Sequence, residues 1–165
     1  MIFSIQKKKL NVLLAAITLI LLGHNCYSAE KSADATPATT GMMTFFYYDN
    51  HAEAVDFYTN KLGFKVILND GWIVIVEAAP GSRIALADPS EGFLKPVKDK
   101  GALIAIETEE LEAWYEKLQK IEGIEFIFGW EEGDYVQQFR IYDPGGYVVE
   151  FVRWHPKTKE KFKNL

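Results

Sequence analysis

Cysteine, histidine and net positive charge are scarce in this sequence. One cysteine and three histidines occur among 165 residues, and 23 acidic residues outnumber 18 basic ones. A single cysteine, Cys26, rules out an intrachain disulfide. The excess of acid disfavours binding to nucleic acid and suits small polar or cationic partners better. Apolar residues make up 48% of the chain, which is enough to bury a core in one domain.

The N-terminal 29 residues have the pattern of a secretory signal peptide. Residues 7–9 are lysines, residues 10–23 are mainly apolar but short for a membrane span, and small residues follow at Ser28 and Ala29. The alternatives are an uncleaved N-terminal anchor and, less favoured, a lipoprotein attached through Cys26. Cleavage would leave 15 basic against 23 acidic residues and would remove the only thiol. We therefore predict a signal peptide over 1–29, a periplasmic or secreted protein, and membrane contact only through this segment before cleavage.

Composition divides the rest of the chain into three parts. Residues 30–41, EKSADATPATTG, are small and polar without periodicity, which predicts a flexible linker. Residues 42–154 carry the apolar patterns of one folded domain, and residues 155–165 form a charged tail.

Within 42–154 the order of one strand, one helix and three strands occurs twice. The predicted strands cover 42–48, 64–69, 72–78, 83–88, 102–107, 124–130, 135–142 and 147–154. Asn50 and Glu53 predict the start of the first helix and Gly63 its end, while Thr108 and Gly123 do the same for the second. This duplication predicts an α+β fold of two βαβββ modules, in which each helix covers one face of a sheet. Large apolar residues on the other face predict that the sheet curls around a ligand.

Two motifs resemble the vicinal oxygen chelate superfamily, which includes glyoxalase I, extradiol dioxygenases, fosfomycin-modifying enzymes and bleomycin-resistance proteins. AVDFYTNKLGF at 54–64 is similar to the family's first-helix signature, and YDPGGYVVEF at 142–151 is similar to its final hairpin. The resemblance spans about residues 43–154. It implies a cupped, eight-stranded mixed sheet with helices on the outer face and a ligand site inside the cup.

In metal-dependent members of that superfamily, four side chains from the first and last strands of the two modules bind a divalent ion. The resemblance places these positions at Met43, Ala85, Leu103 and Glu150. Only Glu150 can bind a hard cation, which needs several oxygen or nitrogen ligands. His51 at the first helix start and His155 after the last strand are poorly placed to help. We therefore predict no metal and no other cofactor.

Alternation along the strands predicts which side chains line the cup. The predicted ligand-binding residues are Phe45, Tyr47, Trp72, Arg83, Phe139, Glu150 and Trp154. A four-residue turn at 143–146 would set Phe139 across from Glu150. In such apolar surroundings Glu150 should pair with Arg83, bind a ligand or become protonated. Aromatic faces with one carboxylate suit flat, apolar or cationic ligands. Ordinary core packing and a structural Arg83–Glu150 ion pair are the alternative interpretation.

Three functions stay open at this point. The favoured one is an exported, metal-independent binding protein of the glyoxalase/bleomycin-resistance type, which holds an aromatic or cationic small molecule in the cup. The second is an enzyme, either a metal-dependent lyase or dioxygenase with displaced ligands or a metal-free catalyst with Glu150 as general base. The third is an interaction protein whose fold serves as a homodimer surface. The residues assign no catalytic group.

Overall fold

A strand, a helix and three further strands occur twice in the computed structural model, which describes residues 38–163. The predicted signal peptide over 1–29 and linker residues 30–37 lie outside the described residues, so those two predictions stay predictions. No helix within 38–163 has the length and apolar character needed to cross a membrane.

The first module follows the predicted order. Its elements are β1 (Met42–Tyr47), α1 (His51–Asp56), a π-helical turn (Phe57–Lys61), β2 (Lys65–Asn69), β3 (Ile73–Ala79) and β4 (Ser82–Ala87). Asn50 caps α1 as predicted, because its side-chain oxygen accepts the backbone N–H of Glu53 at 3.3 Å. Gly63 adopts a φ of +84°, and this left-handed conformation ends the helical segment.

The second module repeats this order and is followed by one more helix. Its elements are β5 (Leu103–Glu107), α2 (Leu111–Gln119), β6 (Glu125–Glu132), β7 (Val136–Tyr142) and β8 (Val148–Trp154), and then α3 (Pro156–Phe162). The predicted cap at Thr108 needs correction: α2 begins at Leu111, and the Thr108 hydroxyl instead accepts the N–H of Glu110 at 3.0 Å. The charged tail contains α3, which the sequence pattern did not predict. Pro156 opens α3, where a missing N–H costs nothing.

The two modules have the same strand order. The first sheet runs β1-β4-β3-β2 and the second runs β5-β8-β7-β6. Strands β1 and β4 are parallel, as are β5 and β8, and the other neighbours are antiparallel. The predicted α+β fold of two βαβββ modules and eight strands is thus confirmed. The strands form two four-stranded sheets, which leaves β1 and β5 each at a sheet edge.

One face of each sheet and the helices enclose a shared apolar core. Phe46 and Phe57 of the first module and Leu118 and Phe151 of the second all belong to it. Because side chains alternate across a strand, the odd-numbered residues of β1 and the even-numbered residues of β8 lie on the opposite faces of their sheets. Those opposite faces carry the candidate site.

The two motifs that carry the family resemblance meet at one buried carboxylate, Asp143. Its Oδ2 accepts the hydroxyl groups of Tyr48 at 2.6 Å and Tyr58 at 2.9 Å, both from the first module. Its Oδ1 accepts the backbone N–H groups of Gly145 at 2.9 Å and Tyr147 at 2.8 Å. Burial raises the pKa of Asp143 in spite of these donors, and burial with the nearby carboxylate raises the pKa of both tyrosines. Asp143 therefore joins the two modules.

The turn that carries Asp143 depends on both of its glycines. Gly146 has a φ of +81°, which glycine adopts without steric cost. A β-carbon at Gly145 would lie 2.6 Å from a ring carbon of Tyr48. The DPGG segment is therefore shaped to hold the Asp143 contact, and its role is structural.

Candidate functional site

The face of the first sheet that points away from the helices is largely apolar. Strand register sets Phe45, Ala85 and Ile75 side by side across β1, β4 and β3, and Leu68 of β2 completes the row. Phe45 is 45% exposed and Leu68 is 46% exposed, whereas Ala85 is fully buried. Ala85 is covered by its larger neighbours, so this face presents mainly Phe45 and Leu68 to solvent. Tyr47 extends the same face toward the end of β1.

The corresponding face of the second sheet carries an ion pair. Arg140 Nε donates to Glu150 Oε1 at 2.7 Å, and the two residues are direct partners across β7 and β8. Their side chains are 29% and 14% exposed, so the pair is largely shielded from water. The Arg140 guanidinium also lies 5.9 Å from the ring centroid of Phe128, a half-exposed residue of β6. This face therefore presents an aromatic ring beside a neutralised ion pair.

The ion-pair partner of Glu150 is Arg140 and not the predicted Arg83. Arg83 lies on β4 in the first sheet, where its neighbours in register are Met43 and Glu77. Glu150 lies on β8 in the second sheet and already has its guanidinium partner. The Arg83–Glu150 pair was one of three predicted outcomes for this carboxylate, and it is wrong: the two residues lie in different sheets, and Arg140 is the partner of Glu150.

Phe139 does not line this face and is a second correction. Asp143 donates its backbone N–H to the carbonyl of Tyr147 at 2.9 Å, so three residues close the hairpin where four were expected. A shift of one residue moves every side chain of a strand to the other face of the sheet. Phe139 accordingly pairs with Phe151, is fully buried, and packs edge-to-face on Tyr115.

The other predicted residues are distributed over both modules. The first module holds Phe45, Tyr47, Trp72 and Arg83, and the second holds Phe139, Glu150 and Trp154. Trp72 precedes β3, and its carbonyl accepts the N–H of Asp88 at 2.7 Å. Trp154 ends β8 and packs edge-to-face on Phe162 of α3, with 5.0 Å between ring centroids. Its indole Nε1 is buried and has no hydrogen-bond partner in the described part of the chain.

The four positions at which the resemblance implies metal ligands do not fit a divalent cation. Met43, Ala85 and Leu103 have no oxygen or nitrogen donor in their side chains, and Arg140 engages the carboxylate of Glu150. Across residues 38–163, no cluster of three or more His, Cys, Asp or Glu side chains could hold a metal ion.

The two described histidines have backbone contacts that explain their positions. His51 Nε2 lies 3.0 Å from the carbonyl oxygen of Leu86, and His155 Nε2 lies 3.0 Å from that of Gly133. These contacts hold α1 against β4 and the end of β8 against the β6–β7 connection.

Comparison with known proteins identifies the fold family. Similar solved structures include a glyoxalase/bleomycin resistance protein/dioxygenase from Nocardioides, which is 21% identical with a TM-score of 0.59 over 74% of this chain and 88% of that chain. A lactoylglutathione lyase from Agrobacterium tumefaciens is 22% identical with a TM-score of 0.54 over 71% of this chain and 95% of that chain. A superfamily member from Sphaerobacter thermophilus is 23% identical with a TM-score of 0.58 over 70% of this chain and 98% of that chain. These identities show a shared fold alone.

No curated protein matches this sequence. The model of the Glyoxalase/Bleomycin resistance protein/Dioxygenase superfamily matches residues 41–151, which is more than half of the chain. This protein therefore belongs to the glyoxalase/bleomycin resistance protein/dioxygenase superfamily.

Proposed function

We propose that this protein is an exported, metal-independent binding protein of the glyoxalase/bleomycin-resistance type. The Arg140–Glu150 ion pair carries the proposal, because it occupies the one implied metal position that has a suitable donor. A metal ion would have to displace the guanidinium and would then find no second donor at Met43, Ala85 or Leu103. The pattern over residues 1–29 supports export. N-terminal sequencing of the exported protein tests this, and we expect the mature chain to start near residue 30.

The same face favours a flat aromatic ligand. Phe128 is 50% exposed beside Arg140, and a guanidinium stacks well on planar groups. Because Arg140 already neutralises Glu150, a cationic ligand gains little from this carboxylate. Of the two predicted ligand classes, the aromatic one is therefore favoured.

Three indole compounds separate the two ligand classes. Indole, tryptamine and indole-3-propionate share one ring system and are neutral, cationic and anionic. We expect all three to raise the unfolding temperature, with tryptamine no better than indole. Stabilisation by tryptamine alone would assign the site to cations, and stabilisation by none of the three would refute the aromatic class.

Glu150→Ala should weaken indole binding by about 10-fold, or about 1.4 kcal/mol. The substitution releases Arg140 from its fixed position beside Phe128. Isothermal titration calorimetry gives the dissociation constants. Glu125→Ala on β6 removes an exposed carboxylate from the same sheet and should leave the affinity unchanged. Equal affinity in wild type and Glu150→Ala would remove the ion pair from the site.

Metal content decides between this proposal and a metal-dependent lyase or dioxygenase. We expect purified protein to hold well below one equivalent of metal. Its unfolding temperature should not change with EDTA or with added Mn²⁺, Ni²⁺, Zn²⁺ or Fe²⁺. Elemental analysis and thermal denaturation measure the two quantities. Stoichiometric metal that is lost in Glu150→Gln would contradict the metal-independent proposal.

A further inference from the structure

A cavity lies between the edge strands of the two sheets; neither Arg140 nor Glu150 lines it, although Ala105 in its lining is the register partner of Glu150. Its volume is about 640 Å³, within the range of small-molecule sites. Met42 and Thr44 of β1 line one side, and all five residues of β5 line the other. Phe64 and Trp114 also line it, with their rings edge-to-face and 6.3 Å between centroids. The cavity is therefore bounded both by apolar side chains and by the two edge strands.

The β5 side of the cavity presents backbone groups that are free to pair. Within the described residues β5 has a strand neighbour on one side only, which is β8. The Thr108 N–H donates to the carbonyl of Val152 on β8 at 3.0 Å. Backbone groups alternate in direction along a strand, so those of Leu103, Ala105 and Glu107 point away from β8. Such an edge is a template for an added strand.

Two side chains of opposite charge line the same cavity. Arg83 comes from β4 and Glu107 from β5, and both are exposed. Neither forms an ion pair within residues 38–163, whereas Arg140 and Arg153 are each paired with a glutamate. The cavity thus offers one cation and one anion to a ligand that carries both charges.

We propose that this cavity binds a short peptide with free termini, in an extended conformation, as an added strand along β5. The peptide backbone matches β5 because donors and acceptors alternate along both with the same spacing. Alternate side chains of the peptide would pack on Phe64 and Trp114. Its terminal carboxylate would interact with Arg83 and its terminal amine with Glu107.

Amide hydrogen exchange of the wild-type protein tests this pairing directly. The probe is the tetrapeptide Val-Ala-Val-Ala with free termini. We expect it to slow exchange at Leu103, Ala105 and Glu107, whose N–H groups have no partner among residues 38–163, and to leave Ile104 and Ile106 unchanged because they already bond to β8. No change at the three free positions at millimolar peptide would overturn the proposal.

The termini are tested with the N-acetylated and C-amidated form of the same peptide. We expect the blocked form to bind about tenfold or more weakly, since it loses two charge-assisted contacts. Equal binding of the two forms would overturn the assignment to unblocked peptides.

Leu103→Pro and Leu103→Ala form a matched pair for the backbone contact. Proline removes one outward N–H and is tolerated at the first residue of an edge strand, while alanine keeps that N–H. We expect Leu103→Pro to bind the free tetrapeptide about 3- to 10-fold more weakly than Leu103→Ala. Equal affinities would contradict strand addition. Phe128→Leu on β6, which is separated from β5 by β8 and β7, should lose indole affinity but bind the peptide as wild type does, so failure of the indole site and failure of this cavity are distinguishable.

Discussion

Replacing Asp143 with alanine should lower the free energy of unfolding by about 3–5 kcal/mol, the scale for removing one member of a buried charged network. The carboxylate accepts two tyrosine hydroxyls from the first module and two backbone N–H groups from its own turn. Its removal leaves Tyr48 and Tyr58 buried without their charged acceptor, and unsatisfied buried donors are costly. Urea denaturation followed by tryptophan fluorescence measures the change.

Variants that each remove one tyrosine hydroxyl, together with a surface variant, test this prediction. Tyr48→Phe and Tyr58→Phe should each cost about 1.5–3 kcal/mol, the value of a hydrogen bond to a charged group. Because both tyrosines share one acceptor, the double variant should not equal the sum of the two. Asp134→Ala in an exposed loop should stay within about 0.5 kcal/mol of wild type. If Asp143→Ala costs less than about 1 kcal/mol, Asp143 does not join the modules as described.

Substitutions at Phe139 and Phe128 should separate folding from binding. Phe139 is fully buried between Phe151 and Tyr115, whereas Phe128 is 50% exposed. Phe139→Ala should therefore cost about 3–5 kcal/mol of unfolding free energy, from lost burial and a residual cavity. Phe128→Ala should cost about 1 kcal/mol or less, because half of its surface already meets water. The same urea denaturation measures both.

Ligand affinity should show the reverse order. Phe139→Leu, a milder change that keeps the protein folded, should bind indole as wild type does. Phe128→Leu should bind it about 10-fold more weakly, since the aromatic face beside Arg140 is lost. Calorimetric titration at a temperature where both variants are folded gives the comparison. If Phe139→Leu loses affinity and Phe128→Leu does not, Phe139 belongs to the ligand site and Phe128 does not.

Most of the fold could be predicted from local patterns because those patterns depend on residues close in sequence. Helix and strand periodicity, the cap at Asn50 and the stop at Gly63 all act within a few residues. The predictions that were wrong rest on local signals that are compatible with more than one structure. The Thr108 hydroxyl makes a turn ahead of α2 instead of capping it. The charged tail forms α3 because contacts such as Phe162 on Trp154 stabilise it.

The candidate site was harder to predict because it depends on the register of one hairpin. A turn that is one residue shorter sends Phe139 into the core and sets Arg140 opposite Glu150. The arginine within an otherwise apolar strand, YVQQFRIY, was the available signal for a partner on the neighbouring strand. Phe128 gave no such signal, since an aromatic residue on a strand fits either face equally well.

The duplicated βαβββ pattern and the lack of donor side chains at Met43, Ala85 and Leu103 are properties of the sequence by itself, and so is the family resemblance. Tertiary structure alone decided that Arg140 neutralises Glu150 and that Asp143 unites the two signature motifs. The first depends on the conformation of a turn. The second joins residues 85 and 95 positions apart, and such contacts follow from packing and not from any local pattern.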